Sequence, residues 1–123
     1  MISLTELNSH GYPTTPEIDK NLAELLARLN QVREAYGIPM TVTSGLRDLA
    51  QQMAVNPKAP QSKHLTGQAA DILDMDRKLR AWVEAHMDLM AEIGFWFEDF
   101  DHTPGWVHFQ IVPPKSGKRV FLP

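Results

Sequence analysis

From Ser62 to Asp71 the chain reads Ser-Lys-His-Leu-Thr-Gly-Gln-Ala-Ala-Asp. The stretch carries an imidazole, His64, in a segment that we predict to be a loop. It ends on a carboxylate, Asp71, within the apolar run 68–73, which we predict to be a strand. A carboxylate in such a strand needs a partner, because burying an unpaired charge is strongly unfavourable. A divalent cation would serve and so would an arginine, so this stretch alone leaves both open.

A second histidine lies in the segment 106–111, which reads Trp-Val-His-Phe-Gln-Ile. Its alternation predicts a strand whose apolar residues share one face, with His108 and Trp106 on the other face. Two histidines and an aspartate suit zinc and leave a fourth position for water, as catalytic zinc sites require. His64, Asp71 and His108 are therefore candidate ligands, although such residues are also common in chains that bind no metal.

The composition is that of one globular domain, residues 1–123. The 12 Lys and Arg against 15 Asp and Glu leave a formal charge of −3 without any block of like charge, which argues against nucleic acid as a partner. The absence of cysteine excludes disulfides, a thiolate nucleophile and Cys-ligated metals. No apolar run is long enough to cross a bilayer. We expect a monomer.

Helical periodicity predicts two long helices. The first is capped by Thr15 and ends at Gly37, and the second begins at Asp74 or Asp76 and ends at Gly94.

Short β-branched and aromatic runs at 40–43 and 95–97 predict further strands. With few strands and separate helices, we predict an α+β fold in which helices pack on a small, mostly antiparallel sheet. Residues 1–13 are expected to form an irregular arm, and residues 112–123 a proline-rich tail.

Three motifs in a fixed order resemble the zinc site of a known family. Residues 62–71 form the pattern Ser-x-His-x-x-Gly-x-Ala-x-Asp, which resembles the first half of the site in the D-alanyl-D-alanine carboxypeptidase family. Residues 43–47, Thr-Ser-Gly-Leu-Arg, are similar to the family's Ser-Gly-Tyr-Arg element, and residues 105–108, Gly-Trp-Val-His, to the segment with its third ligand. The family includes phage L-alanyl-D-glutamate endopeptidases and shares its fold with the Hedgehog signalling domain. The resemblance implies that the two histidines and the aspartate named above ligate Zn²⁺, with a water in the open position.

The resemblance also implies substrate contacts. The family's matching arginine orients the substrate, so Arg47 is expected to take part in catalysis by gripping a substrate carboxylate with two parallel hydrogen bonds. An ion pair of Arg47 with Asp71 or Asp48 is the alternative, and both arrangements can coexist. Ser62 is expected to orient the substrate or the backbone of the site, and Trp106 to form a wall of the cleft.

The general base is the point at which this chain departs from the commonest pattern of the family. Many relatives carry an Asp or Glu three residues before the last ligand, where this chain has Gly105. A branch with a longer turn carries a Glu further upstream, and Glu98 matches it best. A hairpin between the last two predicted strands would bring Glu98 beside the third ligand. Asp101 and His102 are the rival candidates.

The resemblance implies a zinc metallopeptidase that acts on the stem peptides of peptidoglycan. Either the D-Ala-D-Ala bond or the L-Ala-D-Glu bond is the expected target. Residues 1–10 contain no basic or apolar export segment, so we expect a cytoplasmic protein, such as a phage endolysin that reaches the cell wall after its release from the host cytoplasm. A zinc-containing wall-binding module without catalysis and a D-Ala-D-Ala dipeptidase are the alternatives.

Overall fold

One five-stranded sheet organises the computed structural model, which describes all 123 residues. The strands are β1 (Val42–Ser44), β2 (Ala69–Leu73), β3 (Trp96–Glu98), β4 (Trp106–Gln110) and β5 (Val120–Phe121). The helices are α1 (Leu4–Leu7), α2 (Pro16–Tyr36), α3 (Leu49–Val55), α4 (Lys78–Ala85) and α5 (Met87–Ile93). The strand order is β1-β2-β4-β3-β5, and every neighbouring pair is antiparallel except β3 and β5. The predicted α+β class with a mostly antiparallel sheet is confirmed.

The register of the central strands decides where the polar side chains meet. In the antiparallel pair β2 and β4, Asp71 lies directly opposite His108. In the pair β1 and β2, Ser44 lies opposite Asp71. Residues opposite each other point to the same face of a sheet, so strands distant in sequence place these side chains together.

The hydrophobic core lies against the other face of the same strands. There the ring of Phe109 meets those of Phe95 and Phe97 edge to face, at centroid distances of 5.0 Å. Helix α2 covers this core with the buried side chains of Leu22, Leu25, Leu29 and Val32. Since neighbours in a strand point to opposite faces, packing Phe109 into the core directs His108 away from it.

Helix α2 follows the predicted bounds. The hydroxyl of Thr15 accepts a hydrogen bond from the backbone N–H of Ile18, and Gly37 ends the helix in a left-handed conformation with φ of 77°. None of the helices is both long enough and apolar enough to cross a membrane.

The predicted second long helix is wrong in two respects. It begins at Lys78, after Arg77 in a left-handed conformation, rather than at Asp74 or Asp76, and it is broken at His86 into α4 and α5. The ring Nδ1 of His86 donates to the carbonyl of Trp82 at 2.7 Å, the acceptor that the backbone N–H of His86 would use in a continuous helix. That N–H bonds the carbonyl of Val83 instead. Gly94 ends α5, as predicted.

The two chain ends are more regular than expected. The predicted irregular arm, residues 1–13, contains the one-turn helix α1, which begins with a capping box between Ser3 and Glu6 and buries Leu7. The predicted tail, residues 112–123, contains β5, which lies parallel to β3 at the edge of the sheet.

Candidate metal centre

Three candidate ligands converge on one point below the surface. The ligand atoms of His64, Asp71 and His108 all lie within 4.8 Å of one another, and all three side chains are buried. Oδ1 of Asp71 lies 3.3 Å from Nε2 of His64 and 2.9 Å from Nδ1 of His108. The set of two nitrogens and one oxygen is one that zinc accepts, with a position left for a further ligand.

A backbone carbonyl orients His64. Its Nδ1 lies 2.8 Å from the carbonyl oxygen of Gly45, and because a carbonyl only accepts, Nδ1 carries the proton and donates it. The lone pair of a neutral His64 ring is then on Nε2, the nitrogen that faces Asp71. The backbone N–H of Arg47 bonds the carbonyl of His64 at 3.1 Å, which ties this loop to the end of β1.

The buried amide of Gln110 orients His108, which donates from Nε2 whereas His64 donates from Nδ1. Nε2 of Gln110 donates to the carbonyl of Val112 at 2.7 Å, so the amide oxygen Oε1 is directed at His108. Nε2 of His108 donates to this oxygen at 3.0 Å. The lone pair of a neutral His108 ring is therefore on Nδ1, the nitrogen that faces Asp71. The sequence analysis missed Gln110, although the alternation of β4 places it on the same face as His108.

Contacts within the cluster favour the charged forms of both Asp71 and His108. Burial by itself raises the pKa of the Asp71 carboxyl, but hydrogen bonds with His108 and His64 hold that pKa well below its usual range. Burial by itself lowers the pKa of His108, but its hydrogen bond with Asp71 and the charge of Glu98 raise that pKa above its ordinary value. The site thus keeps a carboxylate ionised inside the protein, which is what a bound cation requires.

Arg47 supplies the other partner of this carboxylate. Its Nη2 lies 3.2 Å from Oδ2 of Asp71, while the histidines face Oδ1. Its Nε donates to Oγ of Ser44 at 2.8 Å, and its Nη1 to Oε1 of Gln52 at 2.9 Å. The ion pair that the sequence left open is present and leaves Oδ1 available to a cation. Gln52, which is fully buried, was not identified from the sequence.

A cleft of about 280 Å³ opens onto the three candidate ligands. Ser62, Glu98 and Trp106 line it, together with Arg47. Oε1 of Glu98 lies 3.9 Å from Nε2 of His108. Oγ of Ser62 accepts the backbone N–H of His64 at 3.3 Å, so this serine also contributes to the loop that carries the ligand.

The two rivals of Glu98 lie outside this cleft. Oδ1 of Asp101 bonds Nη2 of Arg80 at 2.9 Å on the surface. His102 is exposed and pairs with Asp99, at 2.8 Å from Nδ1 to Oδ2. Neither residue lines the cleft, so the structure brings only Glu98 of the three candidates close to the ligands.

The backbone explains why no acid stands three residues before His108. Gly105 has a φ of 93°, a conformation that side chains with a Cβ rarely adopt. The turn before β4 therefore requires glycine at this position.

Comparisons with known proteins agree with this arrangement. The sequence model of the family described as Peptidase M15 matches residues 2–108, which include all three candidate ligands. Among curated proteins, no sequence matches the chain significantly. Among solved structures, the chain is similar to the Serratia marcescens L-Ala D-Glu endopeptidase ChiX, with a TM-score of 0.52, 21% identity, and coverage of 91% of this chain and 99% of that one. The match over most of the chain identifies it as a member of the Peptidase M15 family.

Proposed function

We propose that the chain is a zinc peptidase that hydrolyses the L-Ala-D-Glu bond in the stem peptides of peptidoglycan. The observation that carries the proposal is the convergence of His64, Asp71 and His108 within 4.8 Å at the base of an open cleft. The likeness in fold to an L-Ala D-Glu endopeptidase supports the choice of bond.

The residues present fit a zinc ion. Two imidazoles and a carboxylate supply the ligands, and each histidine is held by an acceptor on its other nitrogen, as in known metal sites. His64, Asp71 and His108 would hold the ion, which would supply a bound water with a pKa lowered toward about 7 and would polarise the carbonyl of the scissile bond.

Glu98 is the proposed general base. Its carboxylate lines the same cleft as the three candidate ligands, where it can take a proton from the attacking water. The same carboxylic acid then donates this proton to the nitrogen of the leaving amine, so that a carboxylate is restored at the end of the reaction. Trp106 forms a wall of the cleft in which the peptide lies.

Arg47 is proposed to position Asp71. Its nitrogens donate to Ser44, Gln52 and Asp71, which directs the guanidinium into the protein wall rather than toward a substrate. The expected grip of Arg47 on a substrate carboxylate therefore becomes secondary to this role.

The test is a digestion of purified cell walls by the zinc-loaded protein. We expect new amino groups on D-glutamate, and none when a chelator is present. Release of free D-alanine would instead indicate a carboxypeptidase. Binding to walls without any new amino group would overturn the proposal in favour of a binding module.

Glu98→Gln is expected to lower the rate of this digestion by at least about 100-fold while zinc is retained, because general bases contribute about 10²–10⁴. Asp101→Asn is the matched comparison, since it neutralises the rival carboxylate in the same way. A loss with Asp101→Asn and none with Glu98→Gln would transfer the role of base to Asp101.

A further inference from the structure

A second and larger hollow, of about 710 Å³, borders the cleft above the candidate ligands. Ser62, Glu98 and His108 line both spaces, so the hollow adjoins the cleft at these residues. We propose that Lys63 binds a free carboxylate of the substrate there, on the residue next to the scissile bond. The inference rests on the proposed function and names a substrate group that this function requires.

The charges that line the hollow favour an anion. Its two cationic side chains are Lys58 and Lys63, and its one acidic side chain is Glu98, at the border with the cleft. Lys63 is half-buried, and the ion pairs of the molecule leave it without an acidic partner. A half-buried ammonium group without a partner attracts a carboxylate more strongly than a fully solvated one does.

Hydrogen bonds of the backbone fix the position of the main chain from which the Lys63 side chain extends. The carbonyl of Lys63 accepts hydrogen bonds from the hydroxyl of Thr66 at 3.2 Å and from the backbone N–H of Gln68 at 3.0 Å. Its chain neighbours Ser62 and His64 both line the metal cleft. Adjacent Cα atoms are only about 3.8 Å apart, so Lys63 projects from a point one residue away from a candidate ligand.

The chemistry of the substrate matches this position. A glutamyl residue in a chain uses one carboxyl group in the next amide bond and keeps the other free. In a substrate with an L-Ala-D-Glu bond, the residue that follows the scissile bond therefore carries a free carboxylate before the bond is cut. Arg47, the other cation near the cleft, is already paired with Asp71. Of the two lysines of the hollow, Lys58 is exposed and Lys63 is half-buried beside a candidate ligand, so Lys63 is the better placed of the two to bind this group.

Two synthetic stem peptides test the inference, one with L-Ala-D-Glu and one in which the free carboxylate is a carboxamide. We expect the zinc-loaded protein to cleave the carboxylate peptide with a kcat/KM about tenfold higher, since hydrogen bonds to charged groups have this magnitude. Lys63→Met removes the charge at nearly constant length and is expected to abolish the preference by slowing only the carboxylate peptide. Lys63→Arg is expected to retain it. Lys20→Met, on the exposed surface of α2, is the control and keeps the preference.

The outcomes separate this inference from the proposed function. Equal losses on both peptides, or no loss, with Lys63→Met would overturn the role of Lys63 while leaving the peptidase in place. Binding of reduced-amide analogues of the two peptides, measured by calorimetry, gives a readout without cleavage. A preference for the carboxylate analogue that depends on Lys63, in a protein that cleaves neither peptide, would retain the subsite and overturn the proposed function.

Discussion

The side chains of His108 and Gln110 are hydrogen-bonded to each other, and the backbone just after β4 fixes the direction of this hydrogen bond. The carbonyl of Val112 orients the amide of Gln110, the amide takes the Nε2 proton of His108, and Nδ1 is directed at Asp71. Gln110 contacts only Nε2 of His108, yet by accepting the proton of this nitrogen it leaves Nδ1 as the one available to a cation. This arrangement makes Gln110 a positioning residue.

Gln110→Leu is expected to raise the Kd for zinc by about 10- to 100-fold, as the loss of such a supporting group does in other sites. Leucine occupies a similar volume but cannot accept the Nε2 proton, so the His108 ring loses its fixed orientation. Competition with a chromophoric chelator measures the Kd. Gln31→Leu, on the exposed surface of α2, is the control. An unchanged Kd in a folded Gln110→Leu protein would exclude the positioning role.

Candidate metal ligands are easier to predict from the sequence than the residues that hold those ligands in position. His64, Asp71 and His108 are recognisable because their types and motif suit a metal. Gln52 and Gln110 have no such signal, because each matters only through a hydrogen bond that the tertiary fold creates. The spacing that suggests a site therefore cannot reveal what holds its ligands in place.

Among the elements, α1 and β1 show how a short segment supports a distant ligand. The backbone N–H of Leu46 bonds the carbonyl of Leu7 at 2.7 Å, and this contact holds α1 over the end of β1. Gly45 lies between the last residue of β1 and Leu46, and the carbonyl of Gly45 is the one that orients His64. The chain of contacts therefore runs from α1 through Gly45 to a candidate ligand.

Gly45→Ala is expected to lower both the melting temperature and the zinc affinity, because a Cβ at this position would overlap the backbone carbonyl of Leu7. Backbone atoms cannot rotate away, so α1 must shift and the Gly45 carbonyl with it. Gly117→Ala is the control, since a Cβ there meets nothing within 4 Å and costs only the strain of a positive φ, about 1–2 kcal/mol. Calorimetry with and without zinc measures both effects. Equal losses in the two variants would contradict the support by α1.

Long elements could be predicted because their patterns repeat. Helix α2 and strand β4 each show several periods, and their predicted bounds agree closely with the structure. Helix α1 and strand β5 are too short to show a period, and they form because the rest of the fold offers them partners. The break at His86 depends on one side-chain hydrogen bond, which periodicity does not register.

The sheet as a whole joins parts of the chain that are far apart. Strands β2 and β4 place Asp71 beside His108, 37 residues later, and the loop before β2 adds His64. A cation bound by all three side chains would cross-link two central strands and a loop. Because the unfolded chain lacks this arrangement, the binding free energy adds to the stability of the folded state.

Metal removal is therefore expected to lower the melting temperature of the whole molecule. Free zinc at about 100 times the Kd contributes about 2.7 kcal/mol, which corresponds to roughly 10 °C for a chain of this size. Scanning calorimetry with zinc or with a chelator measures the difference. His108→Ala is expected to abolish it, because two ligands do not hold the ion. His10→Ala, at an exposed position outside the cluster, is expected to keep it. A full zinc-dependent shift in His108→Ala would mean that the ion binds elsewhere.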